Sequence, residues 1–161
     1  MSGARVLIVA ILLSAALTAP AASAQDGRTD RVRLTPELIE ALPHAGAGAG
    51  TSGVSGIQTT ILLGDPTVAG PYAIEIRVPA HTRIAAHEHR DHRSAIVISG
   101  TWYFGYGAVA DEAATRALPP GSFYTEAADD LHFALTKDEP VRVYITGWGP
   151  TDTRYVATPA Q

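Results

Sequence analysis

The sequence predicts an all-β fold, a sandwich or barrel of short antiparallel strands with one short helix ahead of it. Two observations carry this. From Ile57 to Gly147 the chain is cut by Gly/Pro turns into short runs rich in β-branched and aromatic residues. Within that region Tyr72 to Val78 alternates strictly, with Tyr72, Ile74, Ile76 and Val78 on one face and Glu75 and Arg77 on the other.

The elements follow in order. Residues 1–24 read as a secretory signal: Arg5 supplies the positive start, Val6 to Ala19 is apolar or small, and Ala22-Ser23-Ala24 fits a small-x-small cleavage rule. The apolar run is too short for a good transmembrane span. The mature chain is then expected to be secreted or periplasmic, with no stable membrane span. Residues 25–56 form an N-terminal extension. In it Thr35-Pro36-Glu37 is a helix start, with Thr as N-cap, Pro at the first helical position and an acid in the first turn. Leu38, Ile39 and Leu42 give that helix an apolar side, and Pro43 ends it. Gly46 to Gly56 reads as a flexible loop with nothing to bury.

The main domain is expected over residues 57–161. Its strands are Ile57–Leu63, Tyr72–Val78, His87–Ile98, Trp102–Tyr106, Ser122–Glu126, His132–Leu135 and Val141–Gly147. Turns fall at Gly64-Asp65-Pro66, Ser99-Gly100, Pro119-Pro120-Gly121 and Lys137-Asp138-Glu139-Pro140. Asp111 to Leu118 reads as a loop or one or two helical turns.

Composition narrows the function. The formal net charge of the whole chain is −4; loss of residues 1–24, which hold Arg5 and no acid, leaves −5. No basic run or basic patch with interleaved aromatics is present, which argues against nucleic acid as a partner. Zero cysteines in an exported chain exclude disulfides and thiolate chemistry. No Gly-x-Ser-x-Gly elbow and no Gly-rich phosphate loop occurs.

The chemistry concentrates at His87-Glu88-His89-Arg90-Asp91-His92-Arg93. If this segment is extended, His87, His89, Asp91 and Arg93 share a face, and Glu88, Arg90 and His92 share the other. Two imidazoles on one face can grip a cation. His132 lies far along the chain behind the Pro-Gly turn. His92 is expected at the surface, His81 in a turn, and His44 in a loop. Tyr124 and Glu126 share a face of their strand and point in or out together.

The order His-x-His, strand, Ser-Gly, strand, Pro-Gly, strand, His resembles the cupin superfamily, whose members are double-sheet jelly rolls. In the first motif His87 and His89 match the histidines and Gly100 the last glycine; His81 stands at the first glycine position and Arg93 at the glutamate position. In the second motif Gly121 and His132 match, while Ala127, Asp129 and Thr136 replace proline, glycine and asparagine. The resemblance covers Ile57 to Gly147. It implies a double-stranded β-helix, a jelly-roll barrel, and one divalent metal ion, Fe, Zn, Ni or Mn, on His87, His89 and His132. A guanidinium has no lone pair to give, so Arg93 is not a ligand. It is expected to pair with Asp91 or to clamp an anionic group of a ligand. Asp91, Tyr124 and Glu126 are candidates for a supplementary oxygen ligand, and Tyr124 or Glu126 for moving a proton.

The expected function is an exported metal-binding cupin that acts on a small polar or anionic molecule, by dioxygenase-like or other metal-dependent chemistry. The alternative is a non-catalytic cupin that binds a small molecule or metal. Sugar isomerisation is a third activity implied by the resemblance, with no residue that favours it. Cupins often dimerise through sheet edges, so a homodimer is expected, with Val32 to Leu63 as the packing element.

Overall fold

A computed structural model describes residues 31–46 and 51–156. The signal reading of residues 1–24 and part of the Gly-rich loop lie outside the described residues. The elements are α1 (Pro36–Glu40), β1 (Gln58–Leu63), β2 (Gly70–Val78), β3 (Arg83–Glu88), β4 (Arg93–Ser99), β5 (Trp102–Tyr106), a 3-10 turn (Glu112–Ala114), β6 (Arg116–Leu118), β7 (Phe123–Glu126), β8 (His132–Leu135), β9 (Val141–Gly149) and β10 (Arg154–Tyr155). They form two five-stranded sheets in the orders β1-β2-β9-β4-β7 and β10-β3-β8-β5-β6. Every pairing is antiparallel. Strands β2 to β9 alone make the β2-β9-β4-β7 and β3-β8-β5-β6 order of an eight-stranded jelly roll; β1 and β10 extend one edge of each sheet.

The core lies between the sheets. Tyr72, Ile74, Ile76 and Val78 of β2, Ala95 and Val97 of β4, and Val141, Val143 and Ile145 of β9 face Ile84, Trp102, Phe104 and Ala134 of the other sheet. The apolar parity read from β2 is the parity seen. Its polar face differs. Glu75 is 0 % exposed, because α1 and two arginines cover it. Arg77 Nε donates to Glu75 at 2.8 Å and Arg142 Nε at 2.7 Å. Arg77 also forms a two-pronged pair with Glu40 of α1, at 2.8 Å in each prong. Thr35 caps α1 as expected, and Ile39 is the residue the helix buries.

Four expectations need correction. His87 to Ile98 is not one strand: β3 ends at Glu88, the chain turns through His89–His92, and β4 begins at Arg93 in the other sheet. Polar residues in a turn between sheets mimic a half-buried strand, because alternate ones still point inward. The segment Arg83 to Ala86, read from the sequence as part of no strand, belongs to β3. Arg116 to Leu118 is strand β6 rather than loop or helix, pairing with β5 from Trp102↔Leu118 to Phe104↔Arg116. The end of the Gly-rich loop does bury residues: Thr51 and Ser52 are 5 % and 8 % exposed, held by Thr153 Oγ1 and Tyr155 Oη, which donate to the carbonyls of Thr51 and Ser52. A two-residue β10 is short enough to leave no periodic signal.

His81 and Asp129 are the non-glycine residues with positive φ among the described residues, at 56° and 59°. They stand where the two cupin-like motifs carry glycine, so the backbone keeps the turn although the residue has changed. The left-handed conformation costs an L-residue about 1–2 kcal/mol, which glycine's greater unfolded-state freedom offsets in part. His81 is exposed, and its backbone N–H donates to Lys137 O at 2.8 Å. We expect His81→Gly to raise unfolding free energy in urea by up to about 1 kcal/mol, and His81→Val to lower it by about 1–2 kcal/mol. Equal stability of the two variants would contradict this.

Candidate metal centre

Two strands and the turn after the first bring the histidines together. His87 on β3 and His132 on β8 are directly opposed in the ladder, with ring centroids 4.4 Å apart. A register irregularity between Ile84 and His87 places Ala86 and His87 consecutively inside. His89 enters from the turn, its ring centroid 4.9 Å from that of His87 and 5.1 Å from that of His132. One ring nitrogen from each lies within 4.8 Å of the others, and all three residues are buried.

Each ring is fixed from behind. His87 Nδ1 lies 2.8 Å from Ala85 O, His132 Nδ1 3.0 Å from Asp130 O, and His89 Nδ1 2.5 Å from Asp152 O. A carbonyl only accepts, so each Nδ1 carries a proton, and in the neutral ring that leaves the lone pair on Nε2. His132 Nε2 is buried with no hydrogen-bond partner. Burial holds His87 down to about 4, with further depression from His132, and His89 down to about 3, with further depression from Arg93. Both are neutral at neutral pH, the form that ligates metal.

Beside the histidines sits a buried ion pair. Arg93 on β4 and Glu126 on β7 are cross-strand partners, 4 % and 3 % exposed. Arg93 Nε donates to Glu126 Oε2 at 2.5 Å, and Nη2 reaches the same oxygen. Burial pushes the Glu126 carboxyl up, but Arg93 and then His132 and His89 outweigh it and hold the group down at about 2. Glu126 Oε2 is 3.6 Å from His89 Nε2 and 3.7 Å from His132 Nε2. Arg93 Nη2 also lies 2.7 Å from His89 Nε2 and donates to it. The partner at Arg93 Nε is therefore neither Asp91 nor an outside anion but a carboxylate of the next strand.

Asp91 turns away from the histidine group. Its Oδ2 accepts from Tyr72 Oη at 2.7 Å, in a space that Gly147 leaves open: a Cβ there would stand 2.5 Å from Tyr72 Oη and 2.7 Å from Asp91 Oδ2. Tyr124 is buried with Glu126, on the shared face that alternation gives. Burial first, and Glu126 second, raise its phenol well above the ordinary value, so it stays protonated. His92 is exposed. His44 is half-buried, 2.5 Å from Thr60 Oγ1. The space between His87, His132, Arg93, Glu126, Thr51 and Ser52 is about 30 Å³, enough for about one or two waters.

The geometry fits a divalent ion: three imidazoles, each bonded through Nδ1 to a backbone carbonyl, converge on one buried point with a carboxylate alongside. The donor at His89 Nε2 would have to give way. The contributions of Thr51, Ser52 and Asp152 were not visible in the sequence, because they act through burial or through main-chain oxygens.

The comparisons agree on the fold. No protein-family model and no curated protein matches this chain. Solved structures do. The polyketide cyclase RemF from Streptomyces resistomycificus superposes with a TM-score of 0.61 at 15 % identity, over 80 % of this chain and 87 % of that one. The DMSP lyase DddQ from Ruegeria pomeroyi gives 0.59 at 16 %, over 76 % and 64 %. An RmlC-like cupin from Shewanella frigidimarina gives 0.52 at 16 %, over 68 % and 85 %. The chain thus spans less than two thirds of the DMSP lyase's length. It has the cupin fold, a jelly roll whose interior carries a possible three-histidine metal site.

Removing one member of a buried ion pair leaves an uncompensated charge, at a cost of about 3–5 kcal/mol. Arg93→Met is expected to lower unfolding free energy of the metal-free chain by about that amount, while Arg93→Met with Glu126→Leu recovers most of it. Urea unfolding of the two variants checks this; a single variant as stable as the parent would contradict the pairing.

Proposed function

We propose that this chain is an exported, metal-dependent cupin that holds one divalent cation on Nε2 of His87, His89 and His132 and acts on a small polar or anionic molecule. The observation that carries the reading is the set of three Nδ1–H donations to main-chain carbonyls. They leave three lone pairs aimed at one buried point, and one of these, on His132, has no partner. A three-nitrogen set with an optional carboxylate suits Zn(II), Fe(II), Ni(II) or Mn(II). When bound, such an ion polarises a ligand oxygen or lowers the pKa of water.

The chain's own groups do the rest. Glu126, ionised at neutral pH, is an acceptor beside two of the imidazoles. Arg93 fixes its position and balances its charge. Tyr124, held protonated, is a donor. Thr51 and Ser52, both buried, line the cavity beside these groups. That the DMSP lyase and the polyketide cyclase carry enzyme names supports small-molecule chemistry, by analogy of fold alone. The alanine-rich leader with its small-x-small pattern supports export.

One observation favours a second reading. Arg93 Nη2 donates to His89 Nε2, so the guanidinium itself supplies positive charge where a cation would sit. In that reading the cavity is metal-free and the protein is a binding module.

Metal content separates the two. Chain purified without a histidine tag is expected to hold close to one equivalent of metal, and its melting temperature to rise on metal addition. A ligand at about 100-fold over Kd adds about 2.7 kcal/mol. Both effects should vanish in His132→Ala. Metal-free protein whose melting ignores Zn(II), Mn(II), Ni(II) and anaerobic Fe(II) would contradict the proposal and leave the second reading.

A further inference from the structure

Outside the histidine cavity the barrel has a second concavity, a cleft of about 460 Å³. It opens where the edge strands of the two sheets, β6 and β7, fail to meet. Phe104 and Tyr124 form its floor, with ring centroids 4.3 Å apart. Tyr106 stands edge-on to Phe104 at 5.1 Å and 83°, and its hydroxyl donates to Thr125 O at 2.7 Å. That bond ties β5 of one sheet to β7 of the other, so the cleft is preformed. Phe123, 63 % exposed, and Leu118 make its apolar sides.

The charge in the cleft is one-sided. Arg116 lines it, and no acidic side chain does. Every other arginine and lysine between residues 51 and 156 is paired with a carboxylate: Arg77, Arg83, Arg90, Arg93, Lys137, Arg142 and Arg154. Within that span Arg116 alone has no carboxylate partner among the described residues. Its position opposite Phe104 in the β5–β6 ladder sets a free guanidinium at the rim of an aromatic floor. A volume of this size, mostly apolar walls and a single charged group to fix orientation are what small-ligand sites have.

The geometry points to a binding site for an arylcarboxylate: an aromatic ring laid against Phe104, Tyr106 and Phe123, with its carboxylate on Arg116. The site lies behind the histidine cavity, not in it. Phe104 is shared, stacking on His132 at a centroid distance of 5.5 Å and 25°. An occupant of the cleft therefore presses on a ring that backs a candidate metal ligand.

The test uses 3-phenylpropionate and its neutral amide as probes, titrated into full-length chain after chelator treatment, with backbone amide chemical shifts as readout. The metal proposal and this one thus fail separately. The acid is expected to shift amides of β5, β6 and β7 and to bind about tenfold more tightly than the amide, the increment of one charge-assisted contact. Arg116→Gln is expected to remove that tenfold advantage and leave amide affinity unchanged. Arg116 is exposed, so this variant should fold as the parent does. Equal affinity for acid and amide, an unchanged preference in Arg116→Gln, or shifts confined to other strands would each overturn the site.

Discussion

Three imidazole rings are held by their outer nitrogens to the carbonyls of Ala85, Asp130 and Asp152, and everything at the centre of this barrel follows from that. The bonds settle which nitrogen carries the proton. They also fix the ring planes, so the inner lone pairs converge without help from any ligand. Burial then keeps His87 and His89 neutral, because a charged imidazolium there would lose its hydration with no full compensation. The arrangement draws on strand β3, strand β8, and a turn that is pinned by the segment leading into β10. No single element makes the site, and the closing of the jelly roll assembles it.

The second constraint is the charge beside the rings. A glutamate expected on β4 is replaced there by Arg93, and a carboxylate arrives instead from β7, directly across the ladder. Buried ion pairs add little net stability against an apolar alternative, but each partner makes the other necessary. Glu126 therefore stays ionised, and Arg93 stays beside it and beside His89. The guanidinium occupies a lone pair that a cation would also use. A metal ion placed on these three rings would have to compete with that internal cation for the His89 lone pair.

Much of this was legible in the sequence. Strict alternation in β2 and the Gly/Pro punctuation were enough for the sheets, since a one-residue slip would turn Tyr72, Ile74, Ile76 and Val78 out to water. The histidine spacing singled out the residues that stand together. Other parts were not legible, for physical reasons. The pairing of Arg93 with Glu126 depends on the register of β4 against β7, and thirty-odd residues of intervening chain set that register. Alternation sent Glu75 outward, as it should; its burial comes from α1 and from Arg77 and Arg142 arching over it. Thr51, Ser52 and Asp152 contribute by closure and by main-chain oxygens, which any residue type can supply. The break at His89–His92 was hidden because a corner between two sheets keeps alternate side chains pointing inward.

The tautomers are the most direct measure of the account. A long-range proton–nitrogen correlation spectrum of 15N-histidine-labelled, metal-free chain at neutral pH resolves protonated from bare ring nitrogens. His87, His89 and His132, assigned by single substitution, should each show a protonated Nδ1 and a bare Nε2. A proton on Nε2 of His87 or His132, or a doubly protonated ring at any of the three, would contradict it.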